Sequence, residues 1–409
     1  MKILHVHKGY HTRDGSSRYM RELMMLQEHQ GHVVAPFVMR DEKNEPTPWS
    51  AYFTEPLVKD PVTQLRNAFW NPRAHADLAH MLDAFLPDVA HIHNIYTHLS
   101  PSVLFALKGA HIPIVMTVHD YALVSGNYAL WDEARARPLP QSAGVLETAR
   151  TRFVQRSFIK TAALDAVFRS HRFLRWYDRL VDSFLCYSEF SRRVLIDAGF
   201  SADKIHVVGA FASPFLLDQL HSHPNLLHAQ KETDVLFLGR YETYKGMGLA
   251  LELAHKMPDV QFSFAGGGSA EHMLQTATQT HKNIRNIGFL SGDNLWRAVL
   301  GAKCVFVPSL WPEPFGLVAL EAMALGVPVV ASNRGGLPEI VEDGVSGLIF
   351  DPDIPSSAHN ALQKVLHDEA YRARLAQAAV HRAYTLGNPQ RHLSTIIDHY
   401  RAVSSIVCI

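Results

Sequence analysis

Residues 308–332 read PSLWPEPFGLVALEAMALGVPVVAS, and this stretch carries the strongest structural signal in the sequence. Residues 304–307 before it are apolar and rich in valine, which predicts a buried strand, and helix formers fill residues 317–325. Gly326 stands where a helix-ending residue is expected, and residues 327–331 are again rich in valine. The stretch therefore predicts a strand–helix–strand unit of a parallel α/β sheet.

Two glutamates bracket the predicted start of the helix, Glu313 in the loop and Glu321 on the helix itself. Free N–H groups and the helix dipole favour an anion at a helix N-terminus, and a carboxylate can accept hydrogen bonds from both ribose hydroxyls. These residues indicate a phosphate site, a ribose clamp and a second carboxylate for a polar sugar. The same pattern also fits an ordinary βαβ unit with two surface glutamates.

The stretch resembles the E-x7-E signature of the retaining nucleotide-sugar glycosyltransferases of family 4, which have the GT-B fold. Further matching blocks follow in the family's order: Gly15-Ser16, His119-Asp120, Gly239-Arg240, Lys245-Gly246, Gly266-Gly267-Gly268, Gly335-Gly336-Leu337-Pro338-Glu339 and Gly347-Leu348-Ile349-Phe350. The resemblance implies an α/β protein with two Rossmann-like doubly wound domains that face each other across a cleft.

The resemblance also implies the reaction. A hexose-type sugar would pass from a nucleoside-diphosphate sugar, UDP- or GDP-linked, to a hydroxyl of a glycan or lipid-linked acceptor, in cell-surface polysaccharide biosynthesis. The alternatives are a catalytically silent sugar-binding subunit and another GT-B enzyme, such as an epimerase or a phosphorylase. Epimerases lack the E-x7-E block, and no lysine that would anchor a phosphorylase cofactor is evident.

The composition is that of a globular enzyme, with 47% hydrophobic and 19% charged residues among 409. A formal net charge of zero argues against a nucleic-acid partner. The three cysteines, Cys186, Cys304 and Cys408, are far apart, and the apolar runs around the first two indicate buried free thiols. No signal peptide and no apolar run of ~18 residues is evident, so we expect a cytoplasmic protein.

Two sets of short apolar runs predict two doubly wound sheets. The first set comprises residues 3–7, 32–38, 88–93, 113–119, 184–187 and 205–208, with a helix over 17–29; the second comprises 234–239, 260–265, 304–308, 327–332 and 347–350. Weak periodicity over 212–233 places the join there, which gives domains 1–212 and 213–387. Residues 388–409 predict one amphipathic helix, and the resemblance implies that it returns to the first domain.

Arg240 and Lys245 follow the first strand of the second set, and two cations in one loop can neutralise a diphosphate. They are expected to be exposed, and solvated loop charges are the alternative. The resemblance assigns catalysis to Arg240, Lys245, Glu313 and His119, with Glu313 on the donor sugar's hydroxyls and Glu321 on the ribose. It assigns donor binding to Gly15, Ser16, Gly239, Gly266, Gly267, Phe289, Pro314, Phe315, Gly316, Leu317 and Glu321.

Some of these positions allow other interpretations. The family usually has two glycines where this chain has Gly15-Ser16, and the Ser16 hydroxyl suits a helix N-cap. Residues 266–268 fit a helix-entry turn as well as a phosphate loop. Phe289 fits a core position as well as one near the base, and His119 fits a core histidine.

The sequence predicts neither a metal nor another cofactor. His91 and His93 point the same way from one strand, but no third ligand is evident. Asp351-Pro352-Asp353 has the D-x-D form of another glycosyltransferase fold, yet it precedes a helix, where aspartate is a good N-cap. The other histidines, from a total of 25, are expected on the surface.

Residues 150–179 are basic and aromatic, and Arg169, Arg172 and Arg175 are interleaved with Phe168, Phe173 and Trp176. Such a composition is typical of a helix at an anionic membrane surface, and a solvated helix face over the core is the alternative. Family members often use lipid-linked acceptors, which favours peripheral binding at the inner face of the cell membrane.

Overall fold

A computed structural model describes residues 1–11, 14–56, 60–217 and 230–406 of the chain. The chain divides into two compact units. The first comprises Met1–Ala134, Leu139–Val208 and Gln390–Ile409, and the second Arg135–Pro138 and Gly209–Pro389. Much of the predicted join at 212–233 lies outside the described residues, as does Cys408.

A six-stranded parallel sheet forms the centre of the first unit. Its strands are β1 (Lys2–Val6), β2 (Val33–Phe37), β3 (Val89–Ile92), β4 (Ile114–Thr117), β7 (Ser183–Cys186) and β8 (Ile205–Val207), and the short β5 (Trp131–Asp132) lies between β4 and β7 in the chain. The order across the sheet is β2-β1-β3-β4-β7-β8. The helices are α1 (Gly15–His29), α2 (Pro61–Phe69), α3 (Pro72–Phe85), α4 (Ser102–Gly109), α5 (Val145–Arg150), α6 (Phe158–Phe173), α7 (Trp176–Leu180) and α8 (Glu189–Asp197).

The second unit has its own six-stranded parallel sheet. After the short β6 (Arg137–Pro138), its strands are β9 (Thr233–Arg240), β10 (Phe262–Gly267), β11 (Ile284–Gly288), β12 (Ala302–Val307), β13 (Val329–Ser332) and β14 (Gly347–Phe350). They are ordered β11-β10-β9-β12-β13-β14. The helices are α9 (Met247–Lys256), α10 (Glu271–Thr280), α11 (Gly292–Leu300), α12 (Leu317–Ala324), α13 (Leu337–Ile340), α14 (Ser357–His367) and α15 (Glu369–Leu386).

Both sheets follow from runs of apolar residues that are buried on both faces, as parallel sheets require. Strands β3, β4, β7 and β13 are buried along their whole length. Every predicted strand is present, with ends that shift by one or two residues. The prediction omitted β11, an edge strand whose Arg285 and Asn286 are exposed, because it lacks a continuous apolar run.

The last helix, α16 (Pro389–Ile406), packs in the first unit from Gln390 onward, which confirms the return implied by the resemblance. Its Tyr400 is fully buried, and the Tyr400 hydroxyl lies 3.1 Å from the Gln27 amide nitrogen and 2.6 Å from His91 Nδ1. The helix therefore completes the core of the first unit.

Two predicted N-caps are wrong. Helix α1 begins at Gly15 and is capped by Asp14, whose Oδ1 accepts from the Ser17 N–H at 2.9 Å, because Asp14 has the extended backbone that a cap needs and Ser16 lies inside the first turn. Helix α14 is preceded by Ser356, while Asp351 accepts the Asp353 N–H at 2.9 Å within a turn.

Among the described residues, no helix is long and apolar enough to cross a membrane. Cys186 and Cys304 are buried and unpaired with each other, as predicted. Burial raises the pKa of both thiols to about 12, so neither is a reactive thiolate.

Gly246, which precedes α9, should be among the positions least tolerant of a side chain. Its φ is +81°, and a Cβ there would lie 1.8 Å from the Pro308 carbonyl oxygen. We expect Gly246→Ala to lower the free energy of unfolding by ~2 kcal/mol or more, as measured by urea denaturation.

Gly248, two residues later in the chain, provides a matched control. A Cβ there would meet only the Met273 Cε atom, at 3.9 Å. Gly248→Ala should therefore change stability by less than ~1 kcal/mol, in either direction. Equal losses in the two variants would contradict the close approach of Gly246 to Pro308.

Candidate functional site

Candidate charged residues of the second unit gather near the carboxyl ends of β9 and β12. Parallel α/β sheets bind their ligands at the carboxyl ends of their strands. Arg240 ends β9, the 3-10 turn Thr243–Lys245 follows it, and Ser309 and Glu313 lie just beyond β12. Since β9 and β12 are paired neighbours, the two loops meet.

Lys245 and Glu313 form an ion pair, with 2.7 Å between Nζ and Oε1. The Ser309 hydroxyl donates to the same carboxylate oxygen at 2.5 Å. The Lys245 side chain is 21% exposed and that of Glu313 only 9%. The expectation that Lys245 is an exposed loop charge is therefore wrong, because Glu313 draws the ammonium group into the protein.

The pKa values of the pair shift for opposing reasons. Burial lowers the pKa of Lys245, and the Glu313 charge offsets only part of that effect. Burial alone would raise the pKa of Glu313, but the Lys245 charge and the hydrogen bonds from Lys245 and Ser309 outweigh it and leave the pKa below its ordinary value. Glu313 is therefore a buried carboxylate that stays ionised.

Arg240 is exposed and lies against Tyr244, with its guanidinium 5.7 Å from the ring centroid. It also donates to the Tyr244 hydroxyl. The Tyr244 carbonyl accepts the N–H groups of Leu310 and Trp311, at 2.9 and 3.2 Å. These bonds tie the loop that carries both cations to the loop that carries Glu313.

Helix α12 begins at Leu317, directly after Gly316, and it carries Glu321 on its second turn. Glu321 is only 3% exposed, so the alternative of two surface glutamates is wrong. Phe315 is buried as well, and Pro314 precedes it in the same loop. Behind Glu313, the backbone of Gly335 packs so closely that a Cβ would lie 2.2 Å from the Glu313 carbonyl oxygen.

The remaining donor-side glycines lie at the ends of β9 and β10. Gly239 and Gly266 are partners across these strands, and Gly267 ends β10 beside Arg240. Phe289 follows β11 and is 64% exposed, so the core alternative for this residue is wrong. An exposed aromatic ring at this edge can stack on a planar base.

The first unit holds a second polar cluster, at the carboxyl ends of β1, β3 and β4. Gly15 and Ser16 open α1 there, and the Ser16 hydroxyl oxygen lies 3.0 Å from His7 Nε2. His119 follows β4, and its ring contacts His93 and Tyr187, each at 2.9 Å. Both ring nitrogens of His119 therefore have hydrogen-bond partners within the protein, which fits the alternative interpretation of His119 as a core histidine.

The expectation that the other histidines lie on the surface is wrong for four of them, whereas others, such as His29, His111 and His255, are exposed. His5, His7, His171 and His392 are buried, in addition to His91 and His93. His5 supplies the third imidazole that the sequence did not show: the ligand atoms of His5, His91 and His93 all lie within 4.8 Å of one another. This group could hold a metal ion, although its ring nitrogens already have hydrogen-bond partners.

A repeated sequence pattern, a polar residue, an apolar residue and a histidine, could have identified this cluster. His5-Val6-His7, His91-Ile92-His93 and Thr117-Val118-His119 each end a strand with polar side chains at alternate positions. Since β1, β3 and β4 are neighbours, these side chains meet on one face. The contributions of Gln27, Tyr19, Tyr187 and Tyr400 have no comparable signal in the sequence, because they come from helices and a distant strand.

The basic stretch 150–179 is not one helix. It comprises the end of α5, the helices α6 and α7, and the turns between them. Several of its arginines have partners in the protein: Arg169 pairs with Asp165 at 2.6 Å, Arg175 with Asp178, and Arg172 donates to the Val124 carbonyl at 2.5 Å. These three arginines therefore serve the fold of the first unit.

Two units, each with a six-stranded parallel sheet and polar or charged residues at its strand ends, are the architecture expected of the GT-B fold. Family models agree: Glycosyltransferase Family 4 matches residues 13–211, and Glycosyl transferases group 1 matches residues 218–382. The chain belongs to glycosyltransferase family 4.

Solved structures share the fold of the whole chain. Sucrose-phosphate synthase from Thermosynechococcus elongatus superposes with a TM-score of 0.73 at 20% identity and covers 99% of each chain. Anabaena HepE in complex with UDP gives 0.65 at 18% identity, over 98% of this chain and 100% of the other. At these identities the likeness establishes the fold.

Sequence relatives match over part of their length. D-inositol 3-phosphate glycosyltransferase from Mycolicibacterium vanbaalenii is 39% identical over 168 residues, which is 37% of each chain. Phosphatidyl-myo-inositol mannosyltransferase from Mycolicibacterium smegmatis is 29% identical over 221 residues, 52% of this chain and 55% of the relative. The matches thus span about half of these relatives or less.

The buried histidines should make the protein sensitive to acid. Burial lowers the pKa of His5, His7 and His392 to about 4. In the unfolded chain histidine has a pKa near 6.5, so the unfolded state binds more protons between these values. Stability should be full above pH ~6.5 and fall toward pH 4, by up to ~1.4 kcal/mol per pH unit for each such histidine.

Urea denaturation between pH 6.5 and pH 5 tests this dependence, since most carboxyl groups stay ionised in that window. His392→Asn should reduce the slope of the free energy of unfolding against pH by the contribution of one histidine. His29→Asn, at an exposed position on α1, should change it less. A free energy of unfolding that is constant across the window would contradict the neutral, buried state of these rings.

Proposed function

We propose that the protein is a retaining glycosyltransferase that transfers a hexose-type sugar from a nucleoside-diphosphate sugar to an acceptor hydroxyl. Glycan or lipid-linked acceptors and a role in cell-surface polysaccharide biosynthesis fit the family best. HepE structures containing UDP and UDP-glucose support UDP-sugars as the first donors to test. GDP-sugars are the second choice.

The observation that carries the proposal is the pairing of Lys245 with Glu313 beside Arg240. An ammonium group has three N–H donors, so Lys245 can hold Glu313 with one and a phosphate oxygen with another. The Arg240 guanidinium has five donors and can hold Tyr244 while it binds an anion. Together the two cations can neutralise the charge that develops on a departing diphosphate, which is usually the largest catalytic contribution.

The buried carboxylates suit the uncharged parts of the donor. Ionised Glu313 can only accept hydrogen bonds, which matches the hydroxyls of a sugar, and Glu321 on α12 matches the ribose. Helix α12 begins at Leu317, directly after Gly316, and the free N–H groups of its first turn favour a phosphate. The family resemblance assigns His119 to the donor sugar, and the acceptor hydroxyl would attack from the side that the diphosphate leaves. A silent sugar-binding subunit is disfavoured, because such a protein needs no cations at the leaving group.

A nucleotide-sugar screen tests the function. We expect a UDP- or GDP-sugar, among UDP-, GDP-, ADP- and dTDP-sugars, to raise the melting temperature, because a ligand that binds only the folded state stabilises it. The same sugar should be slowly hydrolysed by the purified chain. Binding without any turnover, even with candidate acceptors, would instead support the silent subunit.

Arg240→Ala should lower turnover of that donor by ~100-fold, since the loss of one preorganised charge partner costs a few kcal/mol of transition-state stabilisation. It should leave the melting temperature of the unliganded protein nearly unchanged, because Arg240 is exposed. Lys245→Ala is a less specific test, because it leaves the buried Glu313 charge without its partner.

Arg285→Ala, an exposed arginine on β11 of the same unit, is the matched control and should retain turnover. Unchanged turnover in Arg240→Ala would refute the phosphate assignment.

Metal independence is part of the proposal, because the cations of the site can neutralise a diphosphate themselves. Turnover should persist in excess EDTA. Loss with EDTA and recovery with Mn²⁺ or Mg²⁺ would show that a metal is needed. His5, His91 and His93, or Asp351 and Asp353, would then be the residues to replace.

We also propose that the first unit binds an anionic membrane from the cytoplasmic side. Helices α2 and α6 are neighbours, since the Phe69 carbonyl lies 3.0 Å from His171 Nε2, and both expose apolar residues. On α6, Ile159 is 77% exposed and Phe173 is 88% exposed. Arg150, Arg152, Arg156 and Lys160 are exposed basic residues of the same stretch.

Replacing Ile159 and Phe173 together by Asp should weaken binding to anionic vesicles by ~10-fold or more. Burial of one such side chain in an apolar environment contributes ~1.5–3 kcal/mol. The change should leave the fold intact, since both side chains are exposed. Cosedimentation with vesicles at low salt measures the effect.

Ile354→Asp, at an exposed position of the second unit, is the control and should bind like the wild type. A wild-type protein that ignores anionic vesicles at low salt would refute the membrane proposal and leave the glycosyl-transfer proposal untouched.

A further inference from the structure

A chain of hydrogen bonds runs through side chains of the first unit, and the proposed reaction gives a role to only one of its members, His119. Its central members are Gln27, His5, His93 and His119. The Gln27 carbonyl oxygen lies 2.8 Å from His5 Nε2, and His5 Nδ1 lies 3.1 Å from His93 Nε2. His93 Nδ1 lies 2.9 Å from His119 Nε2, and the Tyr187 hydroxyl oxygen lies 2.9 Å from His119 Nδ1.

The protons of this chain can be assigned from its far end, at the Val208 carbonyl, which can only accept. His392 Nδ1 lies 3.3 Å from this oxygen and therefore carries the proton. His392 Nε2 then accepts from the Tyr19 hydroxyl at 2.8 Å. Because the Tyr19 proton is used there, the Tyr19 oxygen accepts from the Thr117 hydroxyl.

The same reasoning fixes the Gln27 amide. The Thr117 oxygen accepts from His91 Nε2 at 2.6 Å, so His91 Nδ1 accepts from the Tyr400 hydroxyl at 2.6 Å. The Tyr400 oxygen must then accept from the Gln27 amide nitrogen, 3.1 Å away. The Gln27 carbonyl oxygen consequently faces His5.

An amide oxygen only accepts, so His5 carries its proton on Nε2 and accepts at Nδ1 from His93. His93 in turn accepts at Nδ1 from His119. The partners of these rings are an amide, other imidazoles and a hydroxyl, and His5 and His93 are fully buried, so an unpaired positive charge is disfavoured and each ring keeps a single proton. His119 thus carries its proton on Nε2 and has its lone pair on Nδ1.

We propose that Gln27, His5 and His93 are positioning residues that fix His119 as the neutral Nε2–H tautomer, with Nδ1 as an acceptor for a substrate hydroxyl. The proposal rests on the proposed role of His119 in glycosyl transfer. A substrate group can replace the Tyr187 hydroxyl at His119 Nδ1 only if that group donates a hydrogen bond. His119 therefore selects a sugar or acceptor hydroxyl and rejects a phosphate oxygen, which has no proton to give at neutral pH.

Imidazole ¹⁵N NMR of the full chain, labelled at histidine, tests the tautomers without any substrate. At pH 7.5 we expect His5, His93 and His119 to show Nε2–H and His392 to show Nδ1–H, with assignments from single histidine replacements. A proton on His119 Nδ1, or a doubly protonated ring, would overturn the proposal.

Gln27→Glu tests the coupling along the chain. A carboxylate at this position favours a second proton on His5, whose Nδ1–H would donate to His93 Nε2 and reverse the tautomers of His93 and His119. We expect the His119 proton to move from Nε2 to Nδ1 and kcat/KM for the donor to fall at least ~10-fold, since a wrong tautomer disables an oriented imidazole. An unchanged His119 spectrum in folded Gln27→Glu protein would overturn the coupling.

Gln30→Glu is the control, with the same change of charge at the exposed end of α1, and it should keep the wild-type His119 spectrum. If Gln27→Glu does not fold, the tautomers measured in the wild-type protein decide for or against the proposal by themselves. If the protein shows the expected tautomers but turns over no nucleotide sugar, the proposed function is refuted, whereas the proton assignment of the hydrogen-bond chain is supported. Turnover by a protein with His119 protonated on Nδ1 would refute the positioning role alone.

Discussion

The contact between Lys245 and Glu313 is the constraint around which the charged site of the second unit is arranged. Removing two charges from water costs several kcal/mol for each ion, and only close geometry with further hydrogen bonds offsets that cost. Here the offset comes from a direct 2.7 Å contact and from the Ser309 hydroxyl. The pair is therefore poor evidence for stability and better evidence for a site whose geometry is set before a ligand arrives.

The backbone around the Lys245–Glu313 pair is also packed closely. Gly246 lies against the Pro308 carbonyl and Gly335 against the Glu313 backbone, so both loops approach more closely than any side chain would allow. The Tyr244 carbonyl then joins the loops through Leu310 and Trp311. Small residues and main-chain hydrogen bonds thus fix the positions of Lys245 and Glu313 in two short loops that follow the strands β9 and β12.

How far the sequence predicts this structure depends on the range of the interactions. Strands and helices were predictable because their apolar patterns are local, and the E-x7-E stretch was recognisable because its residues are close in sequence. The burial of Lys245 was not predictable, because it depends on Glu313 from another loop. The histidine cluster was missed for the same reason: His5 joins His91 and His93 only when β1 pairs with β3. The edge strand β11 was missed because its exposed residues leave no apolar pattern.

The two units solve the problem of buried polar groups in opposite ways. In the second unit, Lys245 and Glu313 keep their charges and neutralise each other. In the first, burial lowers the pKa of His91, His93 and His119 well below the ordinary value, so the rings stay neutral and satisfy one another through directional hydrogen bonds. Cations such as Lys245 and Arg240 suit a phosphate, whose charge they can match, whereas a neutral imidazole with a fixed tautomer suits a hydroxyl, which it can tell apart from an oxyanion. Glycosyl transfer requires both kinds of recognition, because its donor carries a diphosphate, while the donor sugar and the acceptor present hydroxyls.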